Sequence, residues 1–161
     1  MTARATERLR QFLGDWEFSI EGEMADGRRL RGKGTAKGEI VPGGGVMVAL
    51  RGDIEGEGHF EETNLLGYSE DEEKVHLFTV NSWGSVHDHE GVWETEDRLY
   101  VEWRGVAADT PMLEKVRFEW KGDELTVYST DVTAGKVQDT FVYRFSRTGP
   151  MEEGEPIAVP S

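Results

Sequence analysis

From Trp16 onward the chain alternates between hydrophobic and polar positions. Trp16, Phe18 and Ile20 fall on one face of an extended segment, and Glu17, Ser19 and Glu21 on the other. The same period returns in Leu99, Val101 and Trp103 against Tyr100, Glu102 and Arg104, and in Val116, Phe118 and Trp120 against Arg117 and Glu119. It closes with Phe141, Tyr143 and Phe145 against Val142, Arg144 and Ser146. This is the pattern of antiparallel strands with one solvated face. Only the stretch before Trp16 has helical spacing: Leu9, Phe12, Leu13 and Trp16 stand at i, i+3, i+4 and i+7. A short helix is expected there, with Thr6 as its N-cap and Gly14 just past its end, where glycine takes a left-handed backbone cheaply.

Turn signals recur at hairpin spacing. Asp26-Gly27 is a tight hairpin turn and Pro42–Gly45 a looser one. Glu55–Gly58, Glu70–Glu73, Ser82–Gly84, Glu96-Asp97, a loop over Val106–Pro111, Gly122-Asp123 and Thr133–Gly135 follow. These nine turns predict ten strands, beginning near Trp16, Leu30, Val46, His59, Lys74, Ser85, Leu99, Met112, Glu124 and Lys136. Short links between successive hairpins favour a meander over a sandwich, and closing the meander removes its exposed edges. The expectation is an all-β chain: one up-and-down antiparallel barrel of about ten strands over residues 1–147, opened by a short helix, with an unstructured tail over 148–161. Gly32, Gly34 and Gly38 in the second strand fit sharp coiling of that barrel. Gly43–Gly45 precedes no helix and no Lys-Ser/Thr, so a phosphate loop is set aside.

Charge narrows the partners. The chain carries 32 acidic against 18 basic residues, a formal charge of −14. Nucleic acid and anionic membrane surfaces would be repelled. No apolar run is long enough to span a bilayer and no signal peptide is visible, so a cytoplasmic location is expected. The lack of cysteine, which suits that compartment, removes disulfides and thiolate ligands.

All four histidines lie between His59 and His89. His87 and His89 share a face if the segment is a strand, so both imidazoles could reach one metal ion. Glu94 stands where a cupin-like His-x-His-x-x-x-x-Glu site places its carboxylate, but it has the wrong parity for a continuous strand, whereas Trp93 shares the histidine face. The second cupin histidine motif is absent downstream, and no bound metal is expected. There is no nucleophile elbow, and carboxylates are too common in this chain for Glu61-Glu62 or Asp88 and Glu90 to single out an acid/base pair.

Several segments in order resemble a known group. They are Leu-x-x-Phe-Leu-Gly-Asp-Trp from Leu9, Gly-x-Gly-x-Ala-x-Gly from Gly32, Leu-Gly-Tyr-Ser from Leu66, Val-Asn-Ser-Trp-Gly-Ser from Val80 and Tyr-Arg-Phe-Ser-Arg ending at Arg147. Together they resemble a family of uncharacterised bacterial calycin-like proteins, grouped as a domain of unknown function beside lipocalins and fatty-acid-binding proteins. The resemblance implies a barrel with a cavity and brings no catalytic residues with it. It also implies that Trp16 packs under the barrel against an arginine of the last strand, Arg147 or Arg144. Some related barrels bind haem through a histidine on a late strand; this chain has none after His89, so no cofactor is expected.

Three functions compete. The first is a binding protein for an apolar or amphipathic small molecule, its interior lined by Phe78, His87, His89, Trp93, Trp103, Phe118, Trp120, Phe141 and Tyr143. The second is a metal-dependent or acid/base enzyme built on His87 and His89; the balance leans against catalysis. The third is a structural or interaction module without ligand, and a homodimer is left open. Arg104 and Arg117 fall opposite the aromatic faces and should lie outside, which favours a neutral or weakly polar guest over a free fatty acid.

Overall fold

The computed structural model describes residues 4–149. A helix α1 (Ala5–Arg8) runs into a 3-10 turn (Leu9–Phe12). Ten strands follow: β1 (Gly14–Glu23), β2 (Arg29–Ile40), β3 (Val46–Ile54), β4 (Gly58–Ser69), β5 (Lys74–Asn81), β6 (Val86–Thr95), β7 (Arg98–Ala107), β8 (Thr110–Lys121), β9 (Glu124–Thr133) and β10 (Lys136–Arg147). Each pairs antiparallel with its chain neighbours, and β1 pairs with β10 to close the barrel. The turns are those the sequence marks. The exception is the segment expected as a loop around Val106–Pro111, where the strands continue to Ala107 and from Thr110. Ala108 and Asp109 alone make the turn, both at positive φ, and Val106 pairs with Pro111.

The alternation has the predicted consequence. Trp16, Phe18 and Ile20 are buried while Glu17, Ser19 and Glu21 are exposed, and Leu99 and Val101 are wholly inaccessible. Arg104 and Arg117 lie on the outer face. So does Phe78, which is 44% exposed beside Leu65, its partner in the β4–β5 register. This corrects the expectation that Phe78 faces inward: Val75, Leu77 and Thr79 are the buried set of β5, and period-two geometry sends Phe78 the other way.

The N-terminal segment caps one end of the barrel. Leu9, Phe12 and Leu13 are buried, and Phe12 packs edge-on against Phe118 and Trp120 at 5.4 and 4.8 Å between ring centres. The N-cap is Arg4, not Thr6, which lies within the helix; the backbone N–H of Arg4 donates to the Glu7 carboxylate. Gly14 follows the turn with φ +113°, where a side chain would be strained. Gly38 lets the cap lie flat on the wall: a Cβ there would stand 1.9 Å from the Phe12 carbonyl oxygen.

Three successive carbonyls at the end of this cap would have no helical partner. Arg147 Nη2 donates to Gln11 O at 2.9 Å, Trp16 Nε1 to Phe12 O at 3.1 Å and Arg147 Nε to Leu13 O at 3.2 Å. The guanidinium lies 4.2 Å over the Trp16 ring. Arg144, the other arginine considered for this position, is exposed and faces Glu21 instead. Just beyond β10, the N–H of Thr148 donates to Asp15 O; the expected tail lies outside the described residues from Pro150 onward.

Candidate functional site

The barrel encloses a cavity of about 450 Å³. Its lining is segregated by strand. β1, β2 and β3 contribute only apolar side chains in their strand spans, among them Trp16, Ile20, Ala36 and Leu50. β4, β5, β6, β8, β9 and β10 contribute the polar ones: Glu62, Asn64, Thr79, Asn81, His87, His89, Glu114, Ser129, Asp131 and Tyr143. Most of the polar positions lie in the halves of the strands remote from the N-terminal cap, with Asn64 and Tyr143 near mid-strand. At that remote end Arg28, Glu57 and the exposed Trp83 complete the lining, so the cavity reaches solvent there. Among the described residues Arg28 is the one arginine or lysine along the lining, and it is held by Asp26 at 2.8 Å and Glu57 at 3.5 Å.

Two networks organise the polar half. In the first, Asn64 and Asn81 donate to the two oxygens of Glu62, and Thr79 donates to Asn64. Burial of the Glu62 carboxyl raises its pKa above the ordinary range, and the two amide bonds only partly offset this. In the second, His89 Nε2 meets Glu114 Oε1 at 2.5 Å, and His87 Nδ1 lies 3.7 Å from Glu114 Oε2. His89 is 2% exposed and its Nδ1 has no hydrogen-bond partner among the described residues. Burial lowers the pKa of His87, favouring neutral imidazole. Burial acts against charge on Glu114 too, but the neighbouring His89 and His87 outweigh it and hold the carboxyl below its usual value. Asp131 stands opposite Glu114 in the β8–β9 register. Desolvation first, then the charges of Glu114 and Asp139, push it up to about 7.

Histidine and glutamate meet although β7 separates their strands. Trp103, from β7, stands opposite Glu114 in the β7–β8 register. Its indole folds over Gly105, where a Cβ would stand 2.1 Å from the ring, and His87 stacks flat upon it at 3.6 Å and 9°. One donor atom each from His87, His89 and Glu114 lies within 4.8 Å of the others.

Of the residues expected inside, His87, His89, Phe118, Phe141 and Tyr143 line the cavity. Phe78 does not, as described above. Trp103 is a platform behind His87 rather than a cavity wall. Trp93 and Trp120 pack against each other at 5.7 Å, away from the cavity, with Arg8 over Trp93. Glu94 is exposed and pairs with Arg117 on the outer face at 2.9 Å, so it cannot join the histidines. Its expected place is taken by Glu114. Glu62, Glu114 and Asp131 do not stand out in the sequence; each has the inward parity of its strand.

The fold has relatives among solved structures. Rv2717c from M. tuberculosis superposes with a TM-score of 0.69 at 20% identity, covering 92% of this chain and 100% of that one. The S-type phycobiliprotein lyase CPES from Guillardia theta superposes with a TM-score of 0.64 at 12% identity, covering 91% and 94%. The likeness is to calycin-like barrels. At these identities it extends to the fold alone. No family model matches the chain, and no curated protein matches it in sequence. Among the described residues no helix is long and apolar enough to cross a membrane.

Proposed function

We propose that this protein is a small-molecule-binding barrel whose guest is amphipathic, with an apolar body and a neutral or cationic polar end. In this reading it belongs beside the bacterial calycin-like group that its motifs resemble. The segregated lining of the 450 Å³ cavity carries the proposal. A guest's apolar body gains contacts against β1–β3 that an empty cavity forfeits. Its polar end meets Glu62, Glu114 and Asp131, which accept hydrogen bonds and favour positive charge. A fatty-acid carboxylate would be desolvated beside these groups with no unpaired arginine or lysine among the described lining residues to answer it.

Three probes of equal chain length test this: a medium-chain alkyl amine, the matching alcohol and the matching carboxylate. Trp16 and Trp83 line the cavity, so intrinsic fluorescence reports entry. Saturable binding of the amine and alcohol is expected, with the carboxylate at least tenfold weaker at neutral pH. Absence of saturable binding by any probe, or a preference for the carboxylate, would overturn the reading.

A further inference from the structure

We propose that His87, His89 and Glu114 bind one first-row divalent transition-metal ion inside the barrel, with its remaining coordination positions facing the cavity. The inference goes beyond guest binding and does not depend on it. It also departs from the sequence expectation of no metal, which lacked a third ligand because Glu94 has the wrong parity. The closed sheet supplies that ligand from β8.

Four observations converge. Two imidazoles and one carboxylate are a donor set that holds zinc or non-haem iron while leaving positions open. The three donor atoms lie within 4.8 Å of one another, and a tetrahedral shell with bonds of about 2.0–2.1 Å sets donors about 3.3 Å apart, so small side-chain rotations suffice. His89 is almost wholly buried and turns its Nε2 to the Glu114 carboxylate. Finally, Trp103 backs the His87 ring, and Asp131, opposite Glu114 in the β8–β9 register, lines the same cavity.

His59 and His76 serve as internal contrast. Each also has two carboxylates nearby, but both groups sit on the outer surface, where water competes. They would supply only weak background binding.

The test uses the full, untagged chain, stripped with chelator and titrated with Co²⁺, followed by Zn²⁺ competition. Visible d–d absorption reports the ligand field, and quenching of Trp103 emission reports proximity. We expect one Co²⁺ per chain, displaced by Zn²⁺, with quenching diminished in Trp103→Phe. Glu114→Gln and His87→Gln should each weaken binding at least tenfold, while the double variant His59→Gln/His76→Gln leaves it unchanged. Circular dichroism establishes that each variant is folded; should Glu114→Gln fail to fold, His87→Gln decides the question. No saturable Co²⁺ or Zn²⁺ binding would overturn the site. Binding abolished by the His59/His76 variant would do so equally, as would binding indifferent to His87→Gln. Probe titrations on the chelator-stripped protein keep the fate of the guest-binding proposal separate.

Discussion

Arg147→Met tests how the barrel floor is held. The methionine keeps most of the apolar stem of Arg147, which is 7% exposed, and removes its donors. Two bonds to the backbone carbonyls of Gln11 and Leu13 are lost, together with the guanidinium over Trp16. A hydrogen bond to a charged group contributes about 1.5–3 kcal/mol, and a desolvated cation–π contact about 2 kcal/mol. These terms share one side chain and are not additive, and water can reach part of the vacated site. The ion pair with Asp123 is discounted because Asp123 is 76% exposed. We expect a loss of about 3 kcal/mol, or roughly 6–12 °C in melting temperature for a domain of this size. Urea denaturation followed by tryptophan emission measures it. Hydrogen exchange then locates it: amides of residues 9–13 should lose protection before the mid-strand amides of β7 and β8. A loss below about 1 kcal/mol, or a uniform loss of protection, would refute the idea that Arg147 fastens the cap to the last strand.

Three further changes probe other parts of the same molecule. Trp16→Ala should cost about 3–5 kcal/mol, the usual range for deleting a buried aromatic, and an unchanged denaturation midpoint would remove Trp16 from the core. Gly105→Ala places a methyl group against the Trp103 indole, so it should cost about 1–3 kcal/mol and alter the near-ultraviolet circular dichroism of the Trp103–His87 stack; an unaltered spectrum would contradict the stack. The raised pKa of Glu62 means the folded state holds a proton that the unfolded state releases, so the stability this group confers is present at low pH and lost as pH rises from about 4.5 through the folded value. Glu62→Gln should therefore flatten that part of the profile and become the more stable protein at neutral pH; parallel profiles for the two proteins would show that Glu62 is not desolvated.

Much of the architecture was legible because the physics behind it is local. Period-two burial and turn chemistry depend on near neighbours in sequence, and they locate every strand start to within two residues. Phe78 faces solvent, although its aromatic character favours the interior. Val75 and Leu77 already assign the inner face of β5. The turn between β7 and β8 is tighter than the loop expected over Val106–Pro111. At Pro111 the strand has only just begun, and Ala108 and Asp109 absorb the reversal by adopting positive φ without glycine.

The site was less legible because it joins three strands that only barrel geometry brings together. His87 and His89 are two residues apart and announce themselves. Glu114 is 25 residues beyond His89 and lies among 32 acidic residues that the composition assigns to a solvated surface. Frequency hid it, although parity distinguishes it. Glu114 continues the inward series Val116, Phe118 and Trp120, and Asp131 continues Leu125, Val127 and Ser129. Glu62 belongs with Phe60 and Leu66 in the same way. In an acidic β-barrel an outward carboxylate supports solubility, whereas an inward one must be desolvated and therefore needs a partner. Glu62 has an amide pair and Glu114 a histidine pair, while Asp131, beside Glu114, is pushed up to about 7 by desolvation and that neighbouring charge. That physical distinction, applied to each strand in turn, separates the carboxylates of the cavity from the many on the outside.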